Sequence, residues 1–74
     1  MDTITLRMLR IRSSLSQTQL ADILNIKPRT ISKWEHFEGL PDIAQAVALC
    51  QILDCSMSEL LQSLGLQING IRLQ

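Results

Sequence analysis

Few side chains in this 74-residue sequence belong to types that make or break bonds. There are two cysteines, Cys50 and Cys55, and one histidine, His36. The cysteines stand five apart across a helix end, at apolar-periodic positions, a pattern that favours buried thiols over a redox pair. A lone histidine at a helix end fits a surface ring that meets the last carbonyls, with a phosphate contact as the alternative. No pair of carboxylates has a partner suited to acid–base work, and no glycine-rich loop is present. The sequence therefore predicts no catalytic residue, no metal ligand, no cofactor and no small-molecule ligand, and no enzyme. What remains is a spacing. Arg29, Ser32, Lys33 and His36 recur at i, i+3, i+4 and i+7, a polar and basic stripe that contains no acid.

The formal net charge is zero, but the charges segregate. Residues 1–34 carry six basic and two acidic side chains, whereas residues 35–74 carry one basic and five acidic. Such an asymmetry points to a basic face that meets an acidic partner, nucleic acid being the commonest; a solvated surface with sorted charges is the plainer alternative. The longest apolar run, Ala46 to Cys50, is far short of a membrane span, which needs ~20 residues. Met1-Asp2-Thr3 offers no basic stretch leading into an apolar one, so no signal peptide is expected. These readings predict a cytoplasmic protein with no membrane partner.

The elements that must carry the stripe are short amphipathic helices. The first is expected over about Ile4–Ser13, capped by Thr3 or Asp2, with Leu6 and Leu9 facing inward. Ser16-Gln17-Thr18-Gln19 fits a capping box and opens a second helix, with Leu20, Ile23 and Leu24 on its apolar face. Asn25 suits the left-handed residue that ends it. Pro28 belongs in the first turn of a new helix and cannot sit mid-helix, so residues 17–35 are two helices, not one. The third, about Pro28–His36, turns Ile31 and Trp34 inward, and Trp34 is read as core rather than as a base-stacking ring. After a loop at Glu38–Pro41, Asp42 can cap a fourth helix, Ile43–Leu53. Nine of those eleven residues are apolar, which predicts a central helix buried nearly all round. Ser56-Met57-Ser58-Glu59 is a second capping box, followed by Met57, Leu60, Leu61 and Leu64 at helical spacing and by Gly65 as the stop. The expectation is an all-α, compact five-helix domain over residues 1–65, with a short apolar tail at 66–74.

Two helices joined by a short turn, the second with an exposed basic face, form a helix-turn-helix arrangement. The turn demands a small residue where the helices cross, met by Ala21, and buried Ile26 and Ile31 to fix the crossing. The sequence resembles the Cro/phage-repressor type (Xre-like, lambda-repressor-like) helix-turn-helix family. The resemblance rests on Leu15-Ser16-Gln17-Thr18-Gln19-Leu20-Ala21, Ile26, Thr30 to Glu35, Leu40-Pro41-Asp42 and Ile52 to Leu61, in register over about residues 4–64. It implies a bacterial or phage transcriptional regulator that binds double-stranded DNA, most simply a repressor on a palindromic operator. It implies that Arg29, Ser32 and Lys33 read base edges, with Pro28 limited to van der Waals contact. Gln17, Lys27 and Thr30 would meet phosphates, as would the amides of Leu40 to Ile43. It also implies that Arg10 and Glu35 form a structural ion pair.

Three positions depart from the family pattern. Asn25 stands where glycine is usual, Lys27-Pro28 replaces a Ser/Thr cap and a base-reading side chain, and Phe37 occupies the usual glycine after the third helix. Phe37 is expected either against Trp34 or exposed near DNA or a partner. Beyond Gly65, Leu66, Ile68, Ile71 and Leu73 exceed what the core needs, and Asn69-Gly70 is a turn signal. With Leu61 and Leu64 they are expected to form a homodimer interface, the alternative being a tail folded back on its own fourth helix. A rival function, from a different class, is a helix-turn-helix fold acting in protein–protein contact, as an antitoxin-like or antirepressor partner.

Overall fold

The computed structural model describes residues 4–66. They form five helices: α1 (Leu6–Arg12), α2 (Gln17–Leu24), α3 (Pro28–Glu35), α4 (Ile43–Leu53) and α5 (Met57–Ser63). α2 packs on α3 and α4 on α5, while α1 touches α3, α4 and α5 and so joins the two pairs.

Local chemistry sets each start. Thr5, not Thr3 or Asp2, caps α1: its hydroxyl accepts from the Met8 amide at 3.1 Å, so the helix begins at Leu6, two residues later than expected. Ser16, Asp42 and Ser56 each close a full capping box, with Gln19, Gln45 and Glu59 respectively. Lys27 caps α3 without a side-chain bond, and Pro28 follows at the position where a missing N–H is harmless.

The helices also share one way of stopping. After each comes a residue with left-handed backbone: Ser14, Asn25, Phe37, Asp54 and Gly65, with φ of 61, 58, 61, 51 and 84°. The next residue's N–H then reaches back to the carbonyl five positions earlier, as in Leu15 to Arg10 (3.1 Å), Ile26 to Ala21 (2.9 Å), Glu38 to Lys33 (2.8 Å), Cys55 to Cys50 (3.1 Å) and Leu66 to Leu61 (3.0 Å). This is the Schellman arrangement, which satisfies carbonyls a helix end leaves unpaired. Glycine fills the left-handed position in the last of the five alone.

All five helices feed one core: Leu6, Leu9, Leu20, Ala21, Ile31, Trp34, Leu49, Leu53, Leu60 and Leu64. Burying each Leu, Ile or Trp stabilises by roughly 1.5–3 kcal/mol before chain entropy is counted. Ala21 is fully buried, as close approach of α2 and α3 requires; Ile26 is only half-buried beside it.

α4 corrects an expectation. Leu49 and Leu53 are fully buried, but Ile43 is 85% exposed and Val47 45%. An apolar circumference predicts burial all round only when neighbours exist on every side, and α4 has its main neighbours in α1 and α5. Ile23 and Met57, placed on apolar faces by their spacing, are likewise exposed, Ile23 over half of its surface and Met57 over rather less. Leu64 corrects another. At 4% exposure it is part of the domain's own core and has no surface to give a partner. The expected turn at Asn69-Gly70, and Ile68, Ile71 and Leu73, lie outside the described residues.

Candidate nucleic-acid interface

The positioning of α3 begins beneath it. Glu35, in the last turn of α3, receives Arg10 Nε at 2.6 Å on one carboxylate oxygen and Arg10 Nη2 at 3.4 Å on the other. Gln17 Nε2 donates to the same second oxygen at 2.9 Å, and Arg10 Nη1 donates to the Leu15 carbonyl at 2.8 Å. One carboxylate thus ties α1, the first residue of α2 and α3 together. The side chains of Arg10 and Glu35 are only 10% and 5% exposed. A pair so withdrawn from water holds geometry more than it adds stability, since desolvation offsets much of the attraction. Among the described residues it is the one ion pair.

With Ile31 and Trp34 buried, the opposite side of α3 faces out. Lys27, Pro28, Arg29 and Lys33 are exposed, and Thr30 and Ser32 half-buried. The structure brings these six residues together on one short helix and its cap. Gln17 stands near them at the start of α2, half-buried, and its amide keeps a second N–H beyond the one given to Glu35. His36 Nδ1 lies 2.7 Å from the Ser32 carbonyl, so the ring N–H is donated to α3's own last turn.

The start of α4 is narrower than the sequence suggests. Of residues 40–43, Pro41 has no N–H, and the amide of Asp42 donates to Gln45 Oε1 at 2.9 Å. Leu40 and Ile43 are the amides left to meet an anion, beside a carboxylate that would repel one. Phe37 takes neither of its two expected places in full. It is 60% exposed, and its ring edge lies against Gly65, where an added Cβ would sit 3.0 Å from Phe37 Cδ1. The left-handed backbone at Phe37 costs ~1–2 kcal/mol in a residue with a bulky side chain.

Arg12 was counted in the sequence only as part of the basic excess. Its Nη2 donates to the carbonyls of Leu53 and Asp54, each at 3.3 Å, and so clamps the end of α4 to α1. No local pattern signals a contact across 41 residues. For the expected partner surface, Leu61 is half-buried and Leu66 is 38% exposed.

A helix-turn-helix family model matches residues 6–60. The chain belongs to the Cro/phage-repressor helix-turn-helix family. That span takes in α1 to α4 and the start of α5, including the whole of the α2–α3 pair and the Arg10–Glu35 anchor. No curated protein and no solved structure gives a match to the chain. The family is one of DNA-binding regulators, and the all-helical domain described here is of that kind. No helix among the described residues is long and apolar enough to cross a membrane.

Proposed function

We propose that this helix-turn-helix protein is a sequence-specific transcriptional repressor of bacterial or phage type, acting in the cytoplasm as a homodimer on a palindromic operator. The observation that carries the reading is the division of labour on α3: Ile31, Trp34 and Glu35 hold the helix from below, and Arg29, Ser32 and Lys33 are turned outward. A helix so held enters the major groove with its first turns against base edges. Arg29 can pair with guanine O6 and N7 through two N–H groups; Lys33 reaches the same acceptors as a point charge, and Ser32 can donate or accept. Pro28 supplies apolar contact. Lys27, Thr30 and the second N–H of Gln17 set the register on phosphates, helped by the amides of Leu40 and Ile43. Repression follows from occupancy: a protein seated on an operator excludes polymerase. Two copies related by a two-fold axis would read half-sites about one helical turn apart, with Leu61, Leu66 and the tail residues Ile68, Ile71 and Leu73 as the joining surface. Neither catalysis nor a cofactor enters this scheme.

Exposed Phe37, Leu40 and Ile43, at 60%, 55% and 85%, favour the second reading, a docking module for another protein. Selection from randomised duplex DNA separates the two, with the Arg29→Ala/Lys33→Ala double variant in parallel. The repressor reading expects enrichment of a palindrome that the folded double variant does not enrich. Enrichment of a single half-site would remove the dimer. No enrichment by the folded protein would leave the docking reading in its place.

A further inference from the structure

The end of α4 and the turn that follows it hold both of the protein's thiols. In a Schellman turn, the side chain three places inside the helix end and the one just beyond the left-handed residue lie side by side, and an apolar contact usually fills the gap. In the α2–α3 turn those places are Ala21 and Ile26. In the α4–α5 turn they are Cys50 and Cys55. The Cys55 amide donates to the Cys50 carbonyl at 3.1 Å, Asp54 between them is left-handed at φ 51°, and both thiols are free and partly buried against the core. Arg12 grips the carbonyls of Leu53 and Asp54, so the segment between the two cysteines is fixed from the α1 side as well. Five residues of sequence separation favour separate buried thiols over a pair; the left-handed turn instead folds the interval back on itself.

We infer that Cys50 and Cys55 form a redox-active thiol pair, which closes to an intramolecular disulfide by exchange with a low-molecular-weight disulfide of the oxidised-glutathione class. In the first step the Cys50 thiolate attacks one sulfur of the small disulfide. A bond forms between Cys50 Sγ and that sulfur, and the other leaves as a thiolate. In the second step Cys55 Sγ, giving up its proton, attacks Cys50 Sγ and expels the remaining small thiolate. Two protein thiols are oxidised, one small disulfide is reduced to two thiols, and the two protein protons pass to the released thiolates. The order of attack follows from the surroundings. Burial, then the neighbouring Cys50 thiol and the Glu59 carboxylate, push the Cys55 thiol up to about 11, so Cys55 holds its proton at neutral pH and acts second. Oxidation would staple the end of α4 to the residue before the α5 cap. It leaves the outward face of α3 untouched.

Because a fold that favours a disulfide is favoured by it in return, the test is thermodynamic. The full-length protein is equilibrated in glutathione buffers of stepped ratio, natively and in concentrated urea. Samples are acid-quenched, alkylated and weighed by mass spectrometry. The expected result is a monomer that has lost two hydrogens and takes up no alkyl group. Its half-oxidation should lie at a ratio about tenfold or more further to the reducing side in the native state than in urea. Oxidised protein should also unfold at higher urea than reduced protein. Half-oxidation in the native state at the same ratio as in urea, or at a more oxidising one, overturns the inference. So does a product consisting of glutathione adducts or covalent dimers. Cys50→Ser and Cys55→Ser serve as references, each expected to stop at a mixed disulfide.

Discussion

The α2–α3 and α4–α5 pairs are built on the same turn and differ in what the turn is used for. Each connection is three residues long, 25–27 in one and 54–56 in the other. Each begins with a left-handed Asn or Asp, at φ 58 and 51°, and in each the next N–H reaches back to a carbonyl five positions earlier, Ala21 or Cys50. Shifted by 29 positions, three buried positions coincide, Leu20 with Leu49, Ile31 with Leu60 and Trp34 with Ser63, while buried Ala21 meets half-buried Cys50 and half-buried Leu24 meets buried Leu53. The surfaces do not. Arg29 and Lys33 correspond to Ser58 and Gln62, Lys27 to Ser56, and Glu35 to Leu64. One geometry therefore serves both pairs, and the side chains set on it separate a face suited to an anionic ligand from a piece of scaffold.

The anchors at the end of each second helix give the largest expected effects. Arg10→Ala should destabilise by about 3–5 kcal/mol, because it leaves the Glu35 carboxylate buried and unpaired. Leu64→Ala should remove ~2–5 kcal/mol through lost burial and a residual cavity. Against a total stability of roughly 0.05–0.15 kcal/mol per residue, either change removes a large fraction of what holds the fold, and the urea midpoint should fall accordingly. A loss below about 1 kcal/mol for Arg10→Ala would mean that Gln17 and water satisfy Glu35 without Arg10. Next come the two outer faces. Arg29→Ala and Lys33→Ala should each weaken binding to a selected operator by ~1–3 kcal/mol, while Ser58→Ala and Gln62→Ala stay within about 0.5 kcal/mol of the parent. Equal losses from both faces, measured by fluorescence anisotropy, would erase the functional difference between the pairs.

Caps follow. Ser56→Ala should cost about 1 kcal/mol, since it dissolves the α5 capping box. Lys27→Ser should move the other way, adding a cap that α3 lacks and raising the melting temperature while weakening operator binding. Such a trade would show that Lys27 is there for DNA. The smallest effects are expected at the left-handed residues. Asn25→Gly and Asp54→Gly should stabilise by similar amounts, below about 1 kcal/mol, because the two backbones differ by only a few degrees. Unequal responses in thermal melts would break the equivalence of the turns.

The helices were legible in the sequence because their signals are local. Capping boxes at Ser16 and Ser56, Pro28 at a first turn, Asn25 and Gly65 at the stops each act within four residues. The outward stripe on α3 was legible for the same reason. What was not legible depends on chain brought from elsewhere. The exposure of Ile43 and Val47 is set by how few helices a domain of this size can place around α4. Leu64 has the spacing of an interface residue and the burial of a core residue, and spacing alone does not separate the two. Arg12 on the α4 carbonyls and Gln17 on Glu35 are contacts of distant segments. The spacing of Cys50 and Cys55 favours buried thiols over a redox pair, because five residues read as distance along a chain; the left-handed Asp54 cancels that relation and folds the interval back.

One consequence of the Glu35 anchor concerns change over time. The buried side chains and the ion pair that fix α3 are those of Ile31, Trp34 and Glu35, whereas Arg29 and Lys33 are exposed and Ser32 is half-buried. On the proposed reading, substitutions at the outward positions would alter what is read without disturbing how the reader is mounted. The helix would then behave as an exchangeable cartridge on a fixed socket, with a new operator preference within reach of two or three codon changes that the fold itself would hardly register.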